Sequence, residues 1–201
     1  MTRSMTYERI VLASASERRS RLLDQIGVRH RVIPADLEEN VRRDESAQDY
    51  VARLAREKAA TVVAALRGER PEPVLAADTT IALAGRIIGK PANEEECVAI
   101  LCALSGRSHA VLTAVALAMD GAIRTALNVS QVTFREIPDA ECRSYWATGE
   151  PAGKAGAYAI QGRGAVFVAK LEGSFSGVMG LPLFETAAIL DAAGVRRWQA
   201  T

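Results

Sequence analysis

Asp78 follows the apolar run Val74-Leu75-Ala76-Ala77 and precedes Thr79 and Thr80, which places a carboxylate and two hydroxyls at the exit of an apolar strand. A carboxylate there can hold a cation or take a proton, although an Asp after a strand also caps helices and turns loops. The residues that accompany it are Ser14, Ser16, Arg18, Arg19, Glu39, Lys58, Lys90 and Gln161. Arg18 and Arg19 fall in the first turn of a helix that Ser16 would cap. Unpaired N–H groups and the macrodipole already make that end positive, so two guanidinium groups cost stability there unless an anion shares the site. Arg19 lies three, four and seven residues before Leu22, Leu23 and Ile26, hence on the apolar face, with Arg18 at its edge. A strand, a serine-rich loop and an arginine-bearing helix start are the parts of a phosphate cradle. The alternative is an arginine whose stem covers the edge of the core.

Lys58 repeats the anomaly. It stands four residues after Leu54, seven after Val51 and four before Val62, in the middle of an apolar helical stripe. An ammonium there requires a partner, and either a substrate phosphate or an acidic cluster would serve. Arg53, Arg56 and Glu57 project elsewhere, as solvated charges. Lys90 sits in Ile88-Gly89-Lys90-Pro91, a stiff turn that can aim it into a cleft. Leu37-Glu38-Glu39 supplies acidic groups close in sequence to the arginine helix. One or two carboxylates beside several cations suit Mg²⁺ or Mn²⁺ bridging a polyphosphate. Neither G-x-x-x-x-G-K-[ST] nor a helix-opening G-x-G-x-x-G is present, which argues against the usual nucleotide folds.

The elements that must position these groups follow from periodicity and punctuation. A strand over Ile10 to Ser14 leads into a helix over Glu17 to Ile26, stopped by Gly27. Val28 to Pro34 reads as a strand and Gln48 to Leu66 as a long helix, stopped by Gly68 and the charged loop Arg67 to Pro73. The Val74 strand ends at Asp78, and a hairpin follows around Ala84-Gly85. Asn93 and Glu96 form a capping box for a helix to Leu104. His109 to Met119 and Ala122 to Phe134 form a long apolar hairpin, then a short helix spans Pro138 to Thr148. Glu150 to Gly164 is Gly-rich and irregular, Ala165 to Leu171 is a strand, and Leu181 to Ala193 is a closing helix. Early alternation of strands and helices, then a long hairpin, predicts α/β with a mixed sheet.

A chain of 201 residues can bury one sizeable core, and the reading is a single domain over 1–201 with its core at about 10–193. Its 25 Lys and Arg nearly balance 24 Asp and Glu, so affinity for phosphates has to come from local placement. Two Trp, four Tyr and four Phe, scattered along the chain, make no aromatic platform, which argues against a binding domain for RNA ends. Met1 to Glu8 is polar, with neither a secretory signal nor a membrane span, so a cytoplasmic location is expected. Cys97, Cys102 and Cys142 lack metal-ligand spacing and read as buried reduced thiols. His30 and His109 have no ligand-spaced neighbours and are given no metal or catalytic role.

Six segments resemble one family in order and spacing: Leu12-Ala13-Ser14-Ala15-Ser16-Glu17-Arg18-Arg19, Leu54-Ala55-Arg56-Glu57-Lys58-Ala59, Ala77-Asp78-Thr79, Gly89-Lys90-Pro91, Leu104-Ser105-Gly106, and Lys154 through Gly162 containing Ala157-Tyr158-Ala159-Ile160-Gln161. With Gly180-Leu181-Pro182-Leu183 they are similar to the Maf family, the septum-formation-inhibitor-like nucleoside triphosphate pyrophosphatases. The resemblance implies an elongated mixed sheet with flanking helices, two lobes around a deep cleft, a divalent cation (Mg or Mn) and a possible homodimer. It implies cleavage of a nucleoside triphosphate to monophosphate and pyrophosphate; from the composition and the lack of a visible span, no nucleic-acid or membrane partner is expected. By position, Asp78 matches the proton acceptor; Ser14, Arg19, Lys58 and Lys90 match phosphate-contacting groups; Glu39, with Asp78, matches the metal side, in preference to Glu38. In the branch preferring 7-methylated GTP, the positions of Arg18, Thr79 and Gln161 tend to hold Trp, Gln and Glu. This chain therefore resembles the dTTP/UTP branch, and one Gln amide can meet the donor and acceptor edge of uracil or thymine where a carboxylate only accepts. Glu17 and Ala15 depart from the usual Pro and Gly of the phosphate loop, and Glu17 adds negative charge there. A nucleotide-sensing regulator of cell division that needs no catalysis is the competing function; the combination of Asp78 with the cationic set favours an enzyme.

Overall fold

The structure is a computed structural model that describes residues 6–68 and 71–199. Most of the Met1 to Glu8 segment, and residues 69 and 70 of the 67–73 loop, lie outside the described residues. Among the described residues, seven strands and six α-helices run in the order β1 (Ile10–Leu12), α1 (Glu17–Gln25), β2 (His30–Val32), α2 (Ala47–Ala65), β3 (Val74–Leu83), β4 (Arg86–Ile88), α3 (Glu94–Leu104), β5 (Ser108–Met119), β6 (Ala122–Phe134), α4 (Asp139–Trp146), β7 (Val168–Glu172), α5 (Phe175–Met179) and α6 (Leu183–Ala192). The strands form one mixed sheet in the order β2-β1-β3-β5-β6-β7, with β4 also paired to β3. The expected α/β architecture is present.

Alternation along β3 sorts the core. Val74 and Ala76 pack with Val51, Leu54 and Val62 of α2, whereas Leu75 and Ala77 pack with Leu22 and Leu23 of α1 and Leu190 of α6. A third cluster, built on Phe134, Phe167, Leu101, Leu104 and Tyr145, fills the other lobe between the β5–β6 hairpin, α3 and α4. The hairpin turns on Asp120 and Gly121, both at positive φ (51° and 77°), the conformation a two-residue turn between right-twisted strands demands.

β3 does not stop at Asp78 as expected. Its ladder with β5 is continuous from Val74↔Ala118 to Ala82↔Ala110, because backbone pairing is indifferent to the polarity of the side chains, and Asp78 and Thr79 find partners on opposite faces. The other edge of β3 is divided. β1 pairs with it at Val74 and Leu75, and β4 pairs with it from Ile81 to Leu83. Between those pairings, residues 76–80 face a notch in the sheet, and the cleft opens there.

Four further expectations change. Residues 163–167 form a 3₁₀ segment, so β7 starts only at Val168. Pro182 occupies the N-cap and delays α6 to Leu183, while the short helix α5 precedes it unforeseen, capped by Ser174 Oγ accepting from the Gly177 N–H at 2.9 Å. Cys97 and Cys142 are buried but Cys102 is exposed. Arg53 is also not a solvated charge: its side chain is 14% exposed and pairs with Glu45 at 2.6 Å and Glu57 at 3.0 Å.

Candidate active site

Ser14, Ser16, Arg18, Arg19, Glu39, Lys58, Asp78, Thr79, Lys90 and Gln161, all singled out by sequence, line one cleft of about 540 Å³. The cleft follows from the fork in the sheet, with α1 and the 13–16 loop on one lip and Lys90, which follows β4, and the 153–161 segment on the other.

On the α2 face, Lys58 Nζ lies 2.6 Å from Asp78 Oδ1 and 2.6 Å from Glu39 Oε1, and Lys90 Nζ lies 2.8 Å from Glu39 Oε2. The partner that the apolar stripe required of Lys58 is thus an acidic pair. Asp78 and Lys58 are 5% and 8% exposed and form a buried ion pair. Burial is the largest influence on Asp78 and raises its pKa against the pull of Lys58 and Arg19. Burial also acts upward on Glu39, but hydrogen bonds from Lys58 and Lys90 and their charges outweigh it and hold the group at about 2.

On the opposite face Arg19 is spread over three acceptors: Nε donates to Gly180 O at 2.7 Å, one terminal nitrogen to Ser14 Oγ at 3.0 Å and the other to Thr79 Oγ1 at 3.2 Å. Arg18 Nε donates to Met179 O at 3.3 Å. Carbonyls at the C-terminal end of α5 therefore supply part of the negative charge that two arginines at a helix N-terminus require. Thr113 Oγ1 donates to Gly177 O at 2.7 Å, so its single proton is used, and the 2.9 Å contact between Thr79 and Thr113 has Thr79 as donor. Thr79 thus accepts from Arg19 and donates to Thr113, and holds the guanidinium in place.

Ser16 occupies the N-cap of α1 with no capping bond; Ser14 Oγ takes the Ser16 N–H at 3.2 Å instead. Ser16 Oγ is buried without a partner, an unused polar atom in the cleft wall at the start of a helix. Glu17, the departure in this loop, is exposed and turned toward Arg21 at 3.3 Å.

Six cationic side chains line the cleft, Arg18, Arg19, Arg21, Lys58, Lys90 and Lys154, against the three carboxylates Glu17, Glu39 and Asp78. In a chain of net charge +1 this is a local concentration of positive charge suited to a polyanion.

A family model described as Maf-like protein matches residues 9–193. The chain belongs to the Maf family. It is similar to dTTP/UTP pyrophosphatases of Saccharophagus degradans (50% identical over 191 residues, covering 94% of this chain and 91% of the relative), Cupriavidus metallidurans (49% over 194, 92% and 97%) and Alkalilimnicola ehrlichii (52% over 186, 90% and 91%). The seven-stranded mixed sheet is the architecture expected of a Maf protein.

The cation expected of this Maf chain can be tested against its donors. Asp78 and Glu39 are hard oxygen ligands that already converge on one positive charge, the Lys58 ammonium. Among the described residues no group of three or more His, Cys, Asp or Glu could hold a metal. Two carboxylates fit a cation that takes its remaining ligands from phosphate and water, as Mg²⁺ and Mn²⁺ do. Sequence reading gave no role to Lys154 or Thr113 in this Maf site. Lys154 was legible as a cation inside the Gly-rich motif; Thr113, in an apolar strand, carried no signal.

Proposed function

We propose that this Maf protein is a nucleoside triphosphate pyrophosphatase that hydrolyses dTTP and UTP, converting each to its monophosphate and pyrophosphate. The observation that carries the reading is Asp78, a buried carboxylate of raised pKa in a cleft whose cations outnumber its carboxylates. The matching names of its relatives support the substrate choice.

Asp78 takes the proton of a water that attacks the α-phosphorus; the new P–O bond forms as the bond to the β-phosphate oxygen breaks. A raised pKa makes Asp78 a stronger base than an ordinary carboxylate. Arg19, Lys58 and Lys90 compensate the charge gathering on the departing pyrophosphate, with Ser14 beside them. Gln161 presents its amide to the pyrimidine edge, with Arg18 and Thr79 shaping that end. Glu39 and Asp78 would hold a divalent cation, which would supply charge neutralisation to the phosphates.

The family region spans most of the chain, which supports one catalytic domain over 1–201. An exposed apolar row on β6, Ile123, Leu127 and Val129, supports a homodimer. Among the described residues no helix is long and apolar enough to cross a membrane, and nucleotide-pool cleansing in the cytoplasm is the role that fits this chemistry.

The test is pyrophosphate release from dTTP, UTP, CTP, GTP and 7-methyl-GTP, with Mg²⁺ or Mn²⁺ and with chelator. Release from dTTP and UTP far above that from CTP, GTP and 7-methyl-GTP, abolished by chelator, is expected. Tight nucleotide binding without pyrophosphate from any substrate would overturn the enzyme reading and favour the sensor.

A further inference from the structure

Glu150 lies outside the cleft lining, under the segment that carries Gln161. Its Oε1 accepts the Tyr145 hydroxyl at 2.6 Å and the Gly164 N–H at 2.9 Å, and its Oε2 accepts the Arg163 N–H at 3.0 Å. The Tyr145 oxygen in turn accepts the Ala159 N–H at 3.2 Å. Main chain on both sides of Gln161, at 159 and at 163–164, is therefore tied to one Tyr145–Glu150 pair. The close approach depends on missing side chains: a Cβ at Gly162 would stand 2.2 Å from Glu150 Oε2, and one at Gly164 2.6 Å from the Tyr145 oxygen. Burial acts to raise the Glu150 pKa, yet the bonds from Tyr145, Gly164 and Arg163 outweigh it and keep the group anionic.

We propose that Tyr145 and Glu150 are positioning residues that fix Gln161 and thereby set the base selectivity of the cleft, without touching substrate. Packing alone could hold this lobe together; four oriented hydrogen bonds around one loop do something packing does not, which is to specify its backbone geometry. An amide that tells one pyrimidine edge from another must be held to within about 0.5 Å and 10–20°. The inference rests on the reading that Gln161 meets the base.

The experiment compares kcat/KM for UTP and CTP, which differ at the edge Gln161 would read, in the wild type, Gln161→Ala, Glu150→Gln and Tyr145→Phe, with Tm recorded for each. Glu150→Gln keeps the shape but turns an acceptor into a donor facing backbone N–H groups; Tyr145→Phe leaves the Ala159 N–H without its partner. The UTP/CTP ratio is expected to fall at least five-fold in both variants, with CTP turnover within two-fold of wild type and no further loss when either is combined with Gln161→Ala. If Gln161→Ala collapses the ratio while Glu150→Gln and Tyr145→Phe leave it intact, whatever their Tm, the positioning role is overturned alone. If Gln161→Ala leaves the ratio intact, the base-reading assignment falls, and the inference with it.

Discussion

Asp78 and Thr79 are consecutive residues of β3 whose side chains leave the sheet on opposite faces, Asp78 to Lys58 of α2 and Thr79 to Arg19 of α1. The period-2 alternation of one strand thus brings a basic helix from each layer to the same notch, where β1 has ended and β4 has not begun. The strand acts as the axis of the site, and charges from both layers meet across it.

Removing Lys58 should cost stability as well as turnover. Lys58→Met leaves Asp78 and Glu39 facing each other without their shared cation, and an uncompensated buried charge costs about 3–5 kcal/mol. Asp78→Asn keeps the Lys58–Glu39 pair and should stay folded while losing about 10²–10⁴-fold in kcat. The double variant should be more stable than Lys58→Met alone. Urea unfolding of the three proteins reads this, and equal stability for the single and double lysine variants would show that the pair is not coupled.

The acid limb of kcat/KM should lie above the usual carboxylate range. Asp78 accepts a proton only when ionised, so activity falls as pH drops through its pKa, and burial has moved that pKa upward. A pH–rate profile with UTP at constant ionic strength gives the position. A limb at or below pH 4 would mean that the cations around Asp78 outweigh its burial.

Arg19 should not tolerate lysine. The guanidinium satisfies Gly180, Ser14 and Thr79 together through three nitrogens, and an ammonium on a flexible stem cannot span the same acceptors in a fixed plane. Arg19→Lys should lower kcat/KM for UTP by about 10- to 100-fold, with the far-UV spectrum unchanged. Near-wild-type kinetics would show that charge suffices at this position.

The contrast between what was legible and what was not follows contact distance along the chain. Lys58 and Arg19 declared themselves because a charge on an apolar helical stripe is anomalous within a single turn or two. Asp78 declared itself by interrupting an apolar run, although the same interruption gave a false strand end. The partners of Arg18 and Arg19 are carbonyls 161 residues away, on a five-residue helix too short to show a periodicity. Arg53 was misread for a different reason: its partners are near in sequence, but helical projection alone does not show that Glu45, just before α2, folds back over it. Backbone acceptors carry no residue signature, so the half of the site built from them emerges only when the lobes are assembled.

His109 should give the protein a stability slope in mildly acidic solution. It is 2% exposed, its Nε2 meets the Tyr158 hydroxyl at 3.0 Å, its Nδ1 is buried without a partner, and Phe134 stands edge-on with ring centroids 4.8 Å apart. Burial pulls its pKa down to about 4. The unfolded chain therefore binds a proton near pH 6.5 that the native state refuses until about 4, so the folded state loses stability as pH falls through that window and loses no more from this group below it. The loss should be on the order of 2–3 kcal/mol between pH 7 and 4.5. Glu39, held at about 2, contributes in the opposite part of the acid range: its stabilisation is complete above the unfolded carboxylate value and is lost only as pH falls toward 2. His109→Phe should flatten the upper window and leave the lower one unchanged. Chemical denaturation at half-unit pH intervals separates the two, and an undiminished slope between 6.5 and 4.5 in the variant would assign the effect to other groups.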